Sequence, residues 1–173
     1  MANEAGAGCV SRASSVADYT WVSKSSPASI GGSVTRLAAY WYVDITSNQI
    51  IFAFFTASVN NLTTVAGTRV VCLPSETGIS CHEEFAPADF TAFNVNSGNY
   101  VGAFSIRPIF YATSGGTGLW YQGAGDYTNV SDTTFTLAAN GIDSFTADIT
   151  AAGGLSILQL AQSLGGNANV MTA

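Results

Sequence analysis

Apolar and polar residues alternate through the middle of the chain. From residue 36 to residue 46 one face would carry leucine, alanine, tryptophan, valine and isoleucine, and the other mostly tyrosine and polar residues. A period of two is typical of a β-strand buried on one face. Ser47 and Asn48 favour a tight turn, because both side chains can bond to the nearby backbone. A second strand is predicted over residues 49–59, so the pattern predicts a β-hairpin.

Later stretches have weaker strand patterns, over residues 67–73, 99–111, 133–137 and 144–149. Pro108 has no backbone N–H to donate to a neighbouring strand. We therefore expect the end of the 99–111 stretch to lie at a sheet edge. Asn140 and Gly141 are a favoured pair for a type I′ turn, which predicts a hairpin between the last two stretches.

Near the C-terminus apolar residues recur every three positions from Leu155 to Leu164, between pairs of glycines. This spacing predicts a short C-terminal helix, with a final strand as the alternative. Together the patterns predict an all-β fold, a single antiparallel β-sandwich or β-barrel. Residues 1–173 are predicted to form one β domain, in which residues 1–18 are a loose N-terminal arm.

Charged residues make up only 9% of the chain, against about 25% in an average soluble protein. Serine, threonine, asparagine and glycine must therefore keep the surface soluble. Such an uncharged polar surface predicts a secreted, extracellular protein. The alternative locations are a virion or a cell-surface layer.

The net charge is −6, with only five basic residues. Nucleic-acid binding needs clustered lysine and arginine, so we expect no direct contact with nucleic acid. The longest apolar run covers residues 50–55. A membrane-spanning helix needs about twenty apolar residues, so no membrane span is predicted.

The segment from Val70 to Phe85 contains two of the three cysteines, the only histidine and three carboxylates. Cys72 and Cys81 flank a loop with proline and glycine, which favours an internal disulfide that stabilises the fold by about 3 kcal/mol. Two unpaired buried thiols are the alternative. Cys9 would then be the odd cysteine, which predicts an intermolecular disulfide in a homodimer or larger homo-oligomer, or else a thiol without a role.

Neither a metal site nor a catalytic site is predicted. The cysteine and histidine spacing does not fit the paired ligands of structural zinc. Glu83 and Glu84 would point to opposite faces of a strand beside His82, and no nucleophile motif is present. We therefore expect a non-enzymatic protein without a cofactor.

Aromatic residues are the strongest candidates for partner binding. Tyr40 and Tyr42 share one face of a predicted strand. The glycine-rich loops later in the chain add Trp120, Tyr121, Asp126 and Tyr127. Tyrosine and tryptophan offer rigid contact area with a polar tip, which suits a protein or carbohydrate partner. The alternative is that these rings cover the edges of the core.

Asn61 and Asn129 begin Asn-x-Ser/Thr motifs in predicted loops and are candidate glycosylation sites. A chain so rich in asparagine, serine and threonine also produces such motifs by chance.

The order of several residues resembles the Alternaria major-allergen family: Cys9, Asp18-Tyr19-Thr20-Trp21, Cys72, Cys81, Phe85, Phe90 and Phe93. Members of that family are small secreted fungal β-barrel proteins, often dimeric, that act as allergens or plant-defence effectors. The resemblance implies an intermolecular role for Cys9 and an internal bridge between Cys72 and Cys81. It covers the first half of the chain, and the second half lacks the further cysteine pair usual in the family.

Two functional hypotheses follow. The first is a non-enzymatic secreted protein of the effector or allergen type, which binds a protein or carbohydrate partner through exposed aromatic loops. The second is a self-assembling structural subunit, such as a jelly-roll capsid or coat protein or a surface-layer protein.

Overall fold

The computed structural model describes residues 3–43, 49–73 and 78–151. All regular structure in these ranges is β, in two antiparallel sheets of eight strands each, which confirms the predicted all-β antiparallel class. The predicted helix over 155–164 lies outside the described residues. No helix among the described residues is long and apolar enough to span a membrane.

The first sheet, sheet A, contains β1 (Asn3–Gly6), β2 (Ser14–Val16), β4 (Gly32–Val43), β8 (Gly78–Phe85), β9 (Asn94–Val95), β11 (Ile109–Ala112), β15 (Ile142–Asp143) and β16 (Phe145–Ala151). The second sheet, sheet B, contains β3 (Tyr19–Ser23), β5 (Ile50–Ser58), β6 (Asn61–Thr64), β7 (Val70–Cys72), β10 (Tyr100–Ser105), β12 (Leu119–Gly123), β13 (Thr133–Thr134) and β14 (Thr136–Ala138).

The long strand β4 organises sheet A. It pairs with β16 and β11 through successive parts of its length and with β8 along residues 36–43. In sheet B, β10 lies between β5 and β3, and β3 pairs in turn with β12. One continuous core contains residues of both sheets, including Trp41, Phe52 and Phe145.

The predicted hairpin between residues 36–46 and 49–59 is wrong, although both strands exist. β4 belongs to sheet A and β5 to sheet B, so the two strands do not pair. The reason is the composition of β5, where residues 50–55 are all buried. A strand that is apolar on both faces needs cover on both, and in sheet B the main core covers one face and a second cluster covers the other. Phe54 enters the main core, whereas Phe55 enters a second cluster with Trp120 and Phe135.

The turn at Asn140–Gly141 also connects the two sheets instead of closing a hairpin. The amide of Gly141 donates to the carbonyl of Ala138 at 3.0 Å, so a tight turn forms where it was predicted. The strand before it, β14, is in sheet B, and the strands after it are in sheet A. Pro108 separates β10 and β11 in the same way, which divides the predicted strand over 99–111 between the sheets.

The N-terminal segment differs from the predicted loose arm. β1 pairs with β16, and β2 pairs with β11. Between them Arg12 donates to the carbonyls of Asp143 at 3.0 Å and Ala7 at 3.1 Å. Backbone pairing with strands far away in sequence fixes this segment to sheet A. A short polar sequence does not indicate which distant strand it will pair with.

Candidate functional site

The loop residues predicted to bind a partner are mostly buried or engaged in the fold. Trp120 is 2% exposed, and its indole nitrogen donates to the side chain of Asn60 at 3.0 Å. The Tyr100 ring contacts it edge-on at 5.0 Å between centroids. Trp120 is therefore a core residue instead of an exposed one.

Asp126 and Tyr127 stabilise the loop that covers this second core cluster. Asp126 forms an ion pair with Arg69 at 2.8 Å and accepts from the amide of Thr128 at 2.8 Å. Burial alone would raise the pKa of Asp126, but hydrogen bonds from Thr128 and Arg69 outweigh it and lower that pKa. The Tyr127 ring packs edge-on against Phe135 at 6.3 Å.

Tyr121 has a different position, because it lines a cavity of about 300 Å³ between the two sheets. The lining residues come from both sheets and their adjoining loops: Val16, Tyr19, Trp21, Tyr111, Thr113, Tyr121 and Ala138. Four of the seven are aromatic. Pockets of this size with apolar and aromatic walls are the usual sites for small ligands.

The four rings of this cavity, which we call the aromatic cavity, form one contiguous cluster. The Trp21 ring stacks on Tyr111 at 4.6 Å and on Tyr19 at 5.7 Å between centroids. Tyr121 is tilted against Trp21 at 5.4 Å and against Tyr19 at 6.1 Å. Stacked and tilted rings at these spacings favour one another, so the walls of the cavity are mutually supported.

Strand register explains why the rings meet. Tyr19 and Trp21 are two residues apart in β3, so they share a face. Tyr121 lies directly opposite Trp21 in the β3–β12 pair. Gly123 lies opposite Tyr19, and a Cβ there would be 2.9 Å from two carbons of the Tyr19 ring. The absence of a side chain at Gly123 therefore makes room for that ring.

Several polar groups at the aromatic cavity lack protein partners within the described part of the chain. The hydroxyls of Tyr19, Tyr111 and Tyr121 take part in none of its hydrogen bonds. Trp21 is 4% exposed, and its indole nitrogen likewise has no partner there. Among these groups only the Trp21 indole nitrogen is fully buried, and an unpaired buried donor is uncommon in folded proteins.

A buried carboxyl lies beside this cluster. Asp143 is opposite Tyr111 in the β11–β15 pair and is fully buried. Its Oδ1 accepts from the amides of Ala7 at 3.1 Å and Phe145 at 3.3 Å. Burial raises the pKa of Asp143, and the nearby Ser23 hydroxyl offsets only part of that rise. The Ser23 hydroxyl and Asp143 Oδ2 are close but do not form a hydrogen bond of ordinary geometry.

Tyr40 and Tyr42 lie elsewhere, on the opposite sheet from Trp120 and Tyr121. Tyr42 is 41% exposed, opposite the exposed Ile79 of β8. Tyr40 lies opposite Cys81 and makes an edge contact with Phe110 at 5.2 Å. The predicted aromatic residues therefore do not form one surface.

The cysteine pairing differs from both predictions. Cys9 is bonded to Cys81, with 5.7 Å between their Cα atoms, and Cys72 is a buried free thiol. The predicted Cys72–Cys81 bridge is absent because Cys81 is exposed on β8 in sheet A, whereas Cys72 is buried on β7 in sheet B. In this structure Cys9 is used in that internal bond and is not the odd cysteine. A disulfide is compatible with an extracellular location.

Burial raises the pKa of Cys72 to about 12, and the charges of Glu84 and Asp89 add to the effect. The thiol stays protonated near neutral pH, so it is a poor nucleophile and a poor metal ligand.

The acidic cluster after Cys81 divides between two faces. Glu83 pairs with Arg36, which also binds Asp148 at 3.1 Å. On the other face, Glu84 is 2.8 Å from Nε2 of His82, and both side chains are largely buried. The prediction that Glu83 and Glu84 point to opposite faces of the strand is confirmed, with Glu83 partly exposed and Glu84 largely buried. Among the described residues, no group of three histidine, cysteine or acidic side chains could hold a metal ion.

The two candidate glycosylation sites differ in their surroundings. The Asn61 amide donates to Asp132 at 3.1 Å and accepts from Thr134 at 2.8 Å. Asn129 is exposed. Glycosylation of either residue stays a prediction.

Comparison with protein families, characterised proteins and solved structures found no match to this chain. The candidate site therefore depends on its geometry. The sequence pattern predicts Tyr121 as a binding residue but gives no such indication for Trp21, Tyr19 and Tyr111. The spacing of Tyr19 and Trp21 is a usable signal, because two rings on one face of a strand can form a wall.

Proposed function

We propose that this chain is a non-enzymatic binding protein and that the aromatic cavity is its ligand site. The observation that carries the proposal is the convergence of Tyr19, Trp21, Tyr111 and Tyr121 around one cavity of about 300 Å³. The rings come from both sheets, so the site depends on the folded arrangement of the whole domain.

The chemistry of the walls supports binding more than catalysis. None of the described residues that line the cavity is acidic, basic or a histidine, and the free thiol of Cys72 stays protonated near neutral pH. Aromatic faces with tyrosine hydroxyls instead suit a compact ligand, or one protruding group of a protein or carbohydrate partner. The proposed binding site therefore lies between the two sheets and not on the exposed loops that the sequence predicted.

A secreted role of the effector or allergen type is part of the proposal. It is supported by the Cys9–Cys81 disulfide and by the low charge of the chain. Disulfides persist mainly in oxidising compartments.

A ligand screen followed by tryptophan fluorescence and two-dimensional NMR tests the proposal. Small monosaccharides, aromatic amines and alkylammonium compounds are titrated into the wild type, Tyr121→Ala and Tyr127→Ala. We expect at least one class to bind the wild type and Tyr127→Ala, and to lose binding in Tyr121→Ala. Tyr127 is the matched control because its ring lies outside the cavity. The proposal fails if no class binds, or if both variants lose binding equally.

A specific surface supports the second candidate function, a self-assembling subunit. In the described part of the chain β8 pairs only with β4, and its exposed Ile79 and Phe85 are 55% and 46% accessible. An unpaired edge with exposed apolar residues can pair with another copy of the same chain. The partner proposed here is a second β8 strand running antiparallel to the first.

Light scattering over a range of protein concentrations tests this assembly. A charged residue at the edge should prevent pairing, so Ile79→Lys should be monomeric wherever the wild type associates. Val59→Lys is the control, because Val59 is 85% exposed on a turn of the other sheet. A wild type that is monomeric at every concentration would exclude assembly through β8.

A further inference from the structure

We infer that the ligand of the aromatic cavity is an organic ammonium cation, such as a methylated ammonium group; this inference rests on the proposed function. A cation within about 6 Å of an aromatic centroid is attracted by the negative face of the ring. Neighbouring ring centroids in the cavity are 4.6 to 6.1 Å apart. One compact cation can therefore be within reach of several rings at once.

The charges of the protein also favour a cation. The lining residues include no lysine or arginine that would repel it. Arg36 and Arg69 are paired with carboxylates. Arg12 donates to backbone carbonyls, one of them of Asp143 beside the cluster, and is not a lining residue of the cavity. The chain has a net charge of −6, which raises the local concentration of cations near the surface.

Lys24 is engaged elsewhere by the same kind of contact. Its ammonium group lies 5.6 Å from the centroid of the Trp120 ring. Trp120 does not line the aromatic cavity, so this contact keeps the Lys24 ammonium group from occupying the cavity.

Other ligand classes fit these walls less well. An anion would find no positive side chain among the lining residues. A sugar could bond to the hydroxyls of the three tyrosines and of Thr113, but the lining residues include no carboxylate or side-chain amide to add to them. A cation needs mainly aromatic rings, and four of the seven lining residues are aromatic.

Choline and 3,3-dimethylbutan-1-ol make the discriminating pair of probes. The two molecules have the same shape, but carbon replaces the charged nitrogen in the alcohol. We expect choline to bind at least about tenfold more tightly in a tryptophan fluorescence titration. Equal affinities would overturn the cation inference and leave the proposed function standing. Binding of neither probe, with binding of a monosaccharide, would also overturn the inference, whereas no binding of any compound would remove both.

Substitutions at Tyr121 test whether the ring itself provides the attraction. Tyr121→Phe retains an aromatic face and should keep choline binding, whereas Tyr121→Leu should weaken it about tenfold. Affinity for 3,3-dimethylbutan-1-ol should change little in either variant. Tyr127→Leu is the control outside the cavity, and thermal melting verifies that each variant is folded. Retention of choline binding in Tyr121→Leu would contradict the inference.

Discussion

Among single residues, Asp143 is the clearest case of a polar group whose environment sets its chemistry. It is fully buried, and burial raises its pKa above the ordinary value of 3.8. The unfolded chain therefore loses the proton before the folded protein does as pH rises. Folding stability should be highest below pH 3.8 as far as this group is concerned, and should fall as pH rises towards the raised pKa.

Asp143→Asn should remove this dependence, because the amide stays neutral at every pH. Its oxygen can still accept from the amides of Ala7 and Phe145. We expect urea unfolding of the variant to lose less stability than that of the wild type as pH rises above 4. Asp148→Asn is the control, since that carboxylate pairs with Arg36 at a partly exposed site. Identical pH profiles for Asp143→Asn and wild type would disprove the argument.

Cys72 should be unreactive in the folded protein. Its pKa of about 12 leaves almost no thiolate at pH 8, and the residue is 4% exposed. Iodoacetamide should therefore label no cysteine in the native protein and one cysteine per chain in urea, as counted by mass spectrometry. Rapid labelling of the native protein would show that the thiol is accessible and the burial argument wrong.

At the scale of elements, the N-terminal segment is held by two kinds of contact. β1 and β2 pair with separate strands of sheet A, and the Cys9–Cys81 bond fixes the segment between them to β8. The bond spans 72 residues of sequence. In the chain-entropy model a loop of that length stabilises the folded state by about 4 kcal/mol.

The double variant Cys9→Ala/Cys81→Ala should therefore unfold at lower urea concentration, with a loss of about 4 kcal/mol. Amide exchange in β1 and β2 should also become faster, because the segment between them loses its covalent anchor. Cys72→Ala leaves the bond intact and should cost only about 1 kcal/mol, the usual effect of removing a small buried group. Equal losses in the two variants would mean that the bond adds no special stability.

The positions of the strands also show what the alternation of apolar and polar residues does not predict. Alternation correctly indicated strands near residues 36–46 and 49–59, and it marked the turn at Asn140–Gly141. It could not say that the flanking strands belong to different sheets. A period of two reports which side chains share a face, but not which neighbouring strand completes the hydrogen bonds.

At the scale of the whole molecule, the internal Cys9–Cys81 bond predicts the intact mass of the chain and its size in solution. The intact mass should be lower by two hydrogens than that of the reduced chain, because one disulfide forms and Cys72 stays a thiol. Reductant should leave the size in light scattering unchanged, since no cysteine is available to join two chains. A covalent dimer that dissociates on reduction would contradict the observed pairing and restore the predicted intermolecular role.

The aromatic cavity belongs to this largest scale as well. Its seven lining residues come from segments between Val16 and Ala138, nearly the full length of the described chain. The glycine-rich surroundings of Tyr121 predict a binding residue at an exposed surface. The ring of Trp21 meets it through the β3–β12 pair, and the ring of Tyr111 joins them because β11 of the other sheet packs against β3.

The sequence by itself determined the all-β class and its acidic, weakly charged composition, because alternation and residue content are local properties of the chain. The tertiary structure alone decided the assignment of strands to sheets, the Cys9–Cys81 bond, the burial of Trp120 and the aromatic cavity. Each of these depends on contacts between residues far apart in sequence. Such contacts follow from the packing of two sheets around a shared core, which no single segment specifies.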